Sequence, residues 1–195
     1  MLRVVVTGSI ATGKSTVLAR FGERGFPTYS ADQAVHELYA GQAAALVETL
    51  FPGTVRDGMV DRNALSAAIA AEPYRISELE EVIHPMVREK ALEFMDEVEA
   101  AGHDLAVIEI PLFFETGVKY SIDKVVTIHC DPQIQRQRVL ARPGMSSEKL
   151  DFILSRQLSQ DEKRARADYA IDTSGTMDDT IARTVGFGRP DASRE

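Results

Sequence analysis

The chain has 195 residues, 44% of them hydrophobic and 27% charged, with a formal net charge of −8. That length suits one domain with small insertions, and the acidic balance argues against broad nucleic-acid binding. One cysteine rules out an intrachain disulfide and the cysteine-rich zinc patterns, and the four histidines show no ligand spacing.

From the N-terminus, "LRVVVTG" reads as a buried β-branched strand, with no basic start or small-residue cleavage site of a signal peptide. "KSTVLARFGERG" reads as a helix closed by Gly25, and "FPTYS" as a short second strand. "SADQAVHELYA" begins a helix with Ser30 as N-cap and Gln33 completing a capping box. Residues 42–102 read as wholly helical, with Pro85 kinking or dividing the last long segment. "DLAVIEIP" and "DKVVTIHC" are the third and fourth strands. Cys130 closes an apolar run and reads as a small buried residue. "DPQIQRQRVLAR" is a helix with Asp131 at its start and Pro132 just inside. A basic loop and helix follow, then a short last strand "DYAID", a final helix over "TMDDTIARTVG" and a loose tail at 187–195. No apolar run approaches the ~20 residues of a membrane span.

Strands separated by helices predict a parallel sheet with right-handed crossovers. The stretch between strands two and three is too long for one crossover, so it reads as a helical insertion in an α/β core.

The segment "GSIATGKST" carries the first chemistry. Gly8, Gly13, Lys14 and Ser15 satisfy G-x-x-x-x-G-K-[ST], between a predicted strand and a predicted helix. Glycines let backbone N–H groups curl around phosphate oxygens, and the helix N-terminus adds its positive end. Lys14 is placed to reach the β- and γ-phosphates and Ser15 to hold Mg²⁺.

Three classes share such a loop: small-molecule kinases, GTPase switches and ATPase motors or binding modules. The only asparagine, Asn63, precedes Ala64, so the guanine-reading N-K-x-D is absent. "VIEIP" does not end in the Asp-Glu of a motor. A kinase needs a carboxylate near the γ-phosphate and cations that close over the site. Asp32, after the second strand, is the candidate carboxylate, with plain helix-start chemistry as the competing reading. The candidate cations are Arg136, Arg138 and Arg142. Arg138 and Arg142 are spaced for one helix face, and Pro143-Gly144 could serve as a hinge. They open a segment, 136–166, with eight basic and four acidic residues, which reads equally as a lid or as a solvated helix face.

In sequence order, "VTGSIATGKST", "YSADQAVHELY", "VDRNAL", "LEEVIHPMV", "IPLFFETG", "QRQRVLAR" and "SRQLSQDEKRARADYAIDTSG" resemble the dephospho-CoA kinase family over nearly the whole chain. The resemblance implies a three-layer P-loop fold: a five-stranded parallel sheet, an inserted helical acceptor domain and a lid. The expected bounds are core 1–31, 103–140 and 167–186, insertion 32–102 and lid 141–166. It implies phosphorylation of the ribose 3′-hydroxyl of dephospho-CoA by ATP with Mg²⁺, in the cytoplasm; a kinase for another nucleotide or small alcohol is the alternative. It places Asp32 as the base toward that hydroxyl. It matches Ala11, Thr12, Gly13, Lys14, Ser15 and Thr16 to the ATP loop beside Gly8, and Arg142 to the lid arginine, joined on ATP by Arg138. Arg62, His84 and Pro85 fall on the acceptor side, His84-Pro85 reading equally as a helix break. Glu109 stands where many such kinases carry an aspartate in indirect contact with magnesium. Phe113, Phe114 and Glu115 form a family signature whose aromatics equally suit a core. Neither nucleic acid nor membrane is expected as a partner, and oligomeric state is left open.

Overall fold

A computed structural model describes residues 1–117, 121–176 and 179. The elements begin β1 (Leu2–Thr7), α1 (Lys14–Glu23), β2 (Thr28–Ser30), α2 (Ala31–Tyr39) and α3 (Ala44–Leu50). There follow β3 (Val55–Arg56), β4 (Met59–Val60), α4 (Arg62–Ala71), a 3₁₀ turn at Pro73–Arg75 and α5 (Ile76–Ala100). The chain continues through β5 (Leu105–Glu109), β6 (Lys124–His129), α6 (Pro132–Leu140), α7 (Ser147–Ser155), α8 (Gln160–Arg166) and β7 (Tyr169–Asp172). The predicted final helix and the tail from 187 lie outside the described residues.

The main sheet has five strands in the order β2–β5–β1–β6–β7, and β1 pairs in parallel with both β5 and β6, as β6 does with β7. Val4 to Thr7 of β1 are all buried, as strands covered on both faces require. Because β1 is central, the sheet grows away from it in both directions, the arrangement that opens a ligand crevice at the carboxyl ends of the strands. Helix α1 presents Val17, Leu18 and Phe21 to a core with Val4, Val6, Val107, Val126, Ile128 and Ile171.

The chain divides into two compact units, Met1–Thr28 with Val98–Glu195, and Tyr29–Glu97. The second unit has its own core, which includes Leu38, Val47, Phe51, Leu65, Leu79, Ile83 and Val87.

Three local expectations differ from what is observed, and of the two alternatives for Pro85, a kink or a division, the division is excluded. The segment 42–102 is not wholly helical. Val55–Arg56 and Met59–Val60 pair antiparallel around Asp57 (φ 51°) and Gly58 (φ 76°), a two-residue turn with both centres left-handed, for which Asp-Gly is among the favoured sequences. Ser30 is the N-cap of α2 but makes no side-chain cap bond. Gln33 Nε2 donates one turn onward to Glu37 Oε1 at 3.0 Å, so the capping box is not formed. Pro85 does not divide α5, which runs on for 25 residues. The buried Ile83 and Val87 that flank it hold both halves in one helix against the ~3 kcal/mol cost of an interior proline. The basic segment holds two helices after α6 rather than one. Ser159 starts α8 with a reciprocal capping box to Glu162, a signal present in "SQDE".

Asp168 ties the edge strand to its neighbour. Its carboxylate accepts Val125 N at 2.8 Å and lies 3.3 Å from Lys124 Nζ, and the bond from Val125, followed by the lysine, holds its pKa below the usual aspartate range. A depressed native pKa adds stability above the unfolded value near pH ~3.9, which is lost as pH falls through the native one. Asp168→Asn, which keeps an acceptor oxygen, should therefore melt below the parent at pH 7. The gap should close in thermal melts taken at progressively lower pH below about 4.

Candidate active site

The loop after β1 is shaped by close approaches. A Cβ on Gly8 (φ 150°) would lie 2.3 Å from the Ile128 carbonyl oxygen, so no side chain fits between the loop and β6. Gly13 (φ 92°) precedes α1 as a left-handed N-cap and has no side chain to occupy the first-turn amides, which suits an anion there. Ala11 also takes a left-handed φ, 57°. Lys14 is buried and its Nζ donates to Ser9 O at 2.9 Å.

A cavity of about 340 Å³ opens against this loop. Ala11 and residues 13–16 form one side, Arg138 and Arg142 another, and Thr173 and Gly175 complete it. The two arginines do not share a helix face as their spacing predicts. Helix α6 ends at Leu140, and Arg142 sits in the following turn, where its N–H donates to Val139 O at 3.0 Å. The Pro-Gly pair one residue on explains the early stop, and both arginines still line the cavity. Arg138 is oriented by Thr173: Nη1 donates to Oγ1 at 3.1 Å and Nη2 to the carbonyl at 2.7 Å. The Thr173 hydroxyl in turn donates to Thr12 O at 2.6 Å.

The loop is supported from behind. Ile10 and Ala11 pack with Val139, Met145, Leu150 and Leu154, so α7 rests on the loop's apolar side. Lys163 of α8 is fully buried, pairs with Glu115 Oε1 at 2.8 Å and donates to Pro111 O at 2.9 Å. Burial pushes its pKa below the usual lysine range, with Glu115 pulling the other way. Glu115 Oε1 also accepts Leu158 N at 2.9 Å. The basic segment is thus neither all lid nor all solvated face. Arg138 and Arg142 meet the cavity, Lys163 belongs to the interior, and Arg136 and Arg164 make exposed pairs with Asp151 and Asp161.

The remaining sequence candidates are placed as follows. Thr12 is buried, its hydroxyl donating to Ser9 O at 3.0 Å. Glu109 ends β5 and is buried. Asp32 stands exposed on the first turn of α2, Arg62 exposed at the start of α4, and His84 half-buried beside exposed Pro85 within α5. All four belong to the second unit. Phe113 and Phe114 pack edge to face at 5.3 Å, both half-buried. Cys130 is buried as expected. Sequence reasoning missed Thr173 and the glutamines 135, 157 and 160. Thr173 lies in "DTSG", the end of the last segment that carries the resemblance, where nothing along the chain marks its partner. The repeated Gln of "RQLSQ" was a signal without a stated partner. Among the described residues no helix is long and apolar enough to cross a membrane.

A strand, phosphate loop and helix at the centre of a parallel sheet, with two arginines facing the loop, define a P-loop kinase. The family model for dephospho-CoA kinase matches residues 2–179. Dephospho-CoA kinases of Brucella melitensis and Rhizobium etli are 51% and 48% identical to this chain. The alignments cover 92% of it and 90% of the first protein, and 95% of it and 91% of the second. A solved dephospho-CoA kinase from Campylobacter jejuni superposes with a TM-score of 0.71 at 28% identity, over 94% of each chain. A Thermus thermophilus protein does so at 0.77 and 30%, over 95% of this chain and 94% of its own. The chain belongs to the dephospho-CoA kinase family.

Lys163→Met should strand the Glu115 carboxylate and lower stability by about 3–5 kcal/mol in denaturant unfolding, as breaking one side of a buried pair does. Replacing both partners, Lys163→Met with Glu115→Leu, should recover most of that loss.

Proposed function

We propose that this chain catalyses the last step of coenzyme A biosynthesis, transfer of the γ-phosphoryl group of ATP to the ribose 3′-hydroxyl of dephospho-CoA, giving CoA and ADP. Membership of the family supports the reaction. The observation that carries the chemistry is the cavity in which Lys14, Ser15, Arg138 and Arg142 converge on the phosphate loop.

In this reading the amides of residues 13–16 and the start of α1 bind the β- and γ-phosphates. Lys14 and the two arginines stabilise charge on the transferred group, with planar guanidinium forks suited to its oxygens. The acceptor oxygen forms its bond to the γ-phosphorus as the bond to the β–γ bridging oxygen breaks, and ADP leaves. Asp32 orients the 3′-hydroxyl and takes its proton late in the transfer. Arg62, His84 and Pro85 bind the acceptor. Gly8 acts through shape, keeping the loop against β6, and Thr12 through its backbone. Arg142, on the turn after α6, closes over the phosphates.

The residues present fit a nucleotide-borne magnesium ion. The exposed Ser15 faces the cavity, and among the described residues no group of three His, Cys, Asp or Glu side chains forms a protein cage. Ser15 would hold the ion, with Glu109 in indirect contact, and when bound it neutralises phosphate charge. The compartment is the cytoplasm.

The test is ADP release across a panel of dephospho-CoA, nucleoside monophosphates and shikimate. Release with dephospho-CoA is expected, and release only with another acceptor would overturn the reading. Within that assay, Lys14→Ala should lose about 10²–10³-fold in rate, on the scale of a removed oxyanion donor. Asp32→Asn should fold normally, by thermal melt, and lose about 10²–10⁴-fold in turnover. Normal turnover in that variant would remove Asp32 from the chemistry. Arg142→Ala should slow turnover without lowering the melting temperature.

A further inference from the structure

The two residues at the crest of the phosphate loop, Ser9 and Ile10, are held by side chains distant in sequence. Gln157 Oε1 accepts the Ser9 hydroxyl at 2.7 Å and the Ile10 N–H at 3.2 Å. Gln135 Nε2 donates to the Ile10 carbonyl at 2.8 Å. An N–H can only donate and a carbonyl can only accept, so the two amides must present opposite ends to Ile10. The orientation of Gln135 is imposed from further back. Gln160 Nε2 donates to Gln135 Oε1 at 3.0 Å, and Gln160 Oε1 accepts Cys130 N at 2.9 Å. The Gln160 and Gln135 amides therefore run head to tail from the end of β6 to the Ile10 carbonyl, and Gln157 meets the loop separately.

Ser9 passes this constraint on. Its carbonyl accepts Lys14 Nζ at 2.9 Å and the Thr12 hydroxyl at 3.0 Å. Gln157 itself sits just past α7, its N–H bonded to Leu154 O at 3.1 Å, while the next residue is held by Glu115. Leu150 and Leu154 of α7 pack on the same loop.

We propose that Gln157, with Gln135, is a positioning residue for phosphoryl transfer: through Ser9 it sets the place of the Lys14 ammonium, and it couples the seating of α7 to the shape of the phosphate loop. The residue whose hydroxyl Gln157 holds is the one whose carbonyl holds the Lys14 ammonium. Gln157 holds that hydroxyl with the same oxygen that takes the neighbouring N–H. The proposal rests on the kinase reading above.

The test compares Gln157→Met, which keeps length and shape but loses the acceptor, with Ser9→Ala, which removes the same bond from the loop side, and with the double variant. Measured quantities are the dissociation constant for ADP, KM for ATP and for dephospho-CoA, kcat, and the melting temperature. Gln157→Met should weaken ADP binding and raise KM for ATP about tenfold, the scale of one or two lost hydrogen bonds, and lower kcat. KM for dephospho-CoA should stay within twofold. Ser9→Ala should cost clearly less in the Gln157→Met background than in the parent. ADP affinity and kcat within twofold of the parent, whatever the melting temperature, would reduce Gln157 to a stabilising role; strictly additive effects would also overturn the proposal. Should Gln157→Met not fold, Ser9→Ala alone decides, since unchanged nucleotide affinity and kcat in it break the route through Ser9. A parent that releases no ADP with dephospho-CoA would sink the reaction assigned above, while ADP binding would still judge Gln157.

Discussion

The rest of the molecule is organised around one constraint: a loop that offers its amides to phosphate cannot use them to hold itself in shape. Its remaining polar groups must be met from elsewhere, and its backbone must take conformations that side chains resist. Gly8 meets the second demand by bringing the chain within a Cβ's reach of Ile128. Ala11 meets it at a cost of about 1–3 kcal/mol for a left-handed non-glycine residue, offset by the contact of its methyl with Val139 and Leu150. Thr173 and the glutamines meet the first demand at Thr12 and Ile10.

That requirement explains why the elements after β6 matter so much to a loop that follows β1. Helices α6, α7 and α8 each contribute to its support: Gln135 and Val139 from the first, Leu150 and Leu154 from the second, and Gln160, through Gln135, from the third. Only Arg138 and Arg142 of the basic segment reach the cavity. Burying Lys163 costs desolvation, visible in its lowered pKa, and the Glu115 carboxylate and Pro111 carbonyl offset it. The basic segment therefore serves two ends: two of its arginines line the cavity beside the phosphate loop, and Lys163 fixes the interior.

The unit from Tyr29 to Glu97 is built on different terms. It closes an apolar core of its own, with an Asp-Gly hairpin and a 25-residue helix that carries a proline through its interior. Its surface presents Asp32, Arg62 and Pro85. Tyr29 stacks on Phe94 at 5.1 Å, and burial, then the nearby Glu37, pushes its phenol up to about 12, so it stays neutral.

What the sequence by itself determined is what depends on neighbours along the chain. The spacing of Gly8, Gly13, Lys14 and Ser15 forced a phosphate loop because a turn and a helix start need only a few consecutive residues. The alternation of apolar strands and helices sufficed for the parallel sheet, and Asp131-Pro132 for the start of α6. The Asp-Gly hairpin was equally local and readable, yet it was outweighed by the helical periodicity on either side of it. Tertiary structure alone decided the rest. The bond of Thr173 to Thr12 spans 161 residues, that of Gln157 to Ser9 spans 148, and that of Lys163 to Pro111 spans 52. A glutamine or lysine in a sequence carries its polar atoms without a direction, and only packing the helices after β6 against the segments after β1 and β5 gave these side chains their partners.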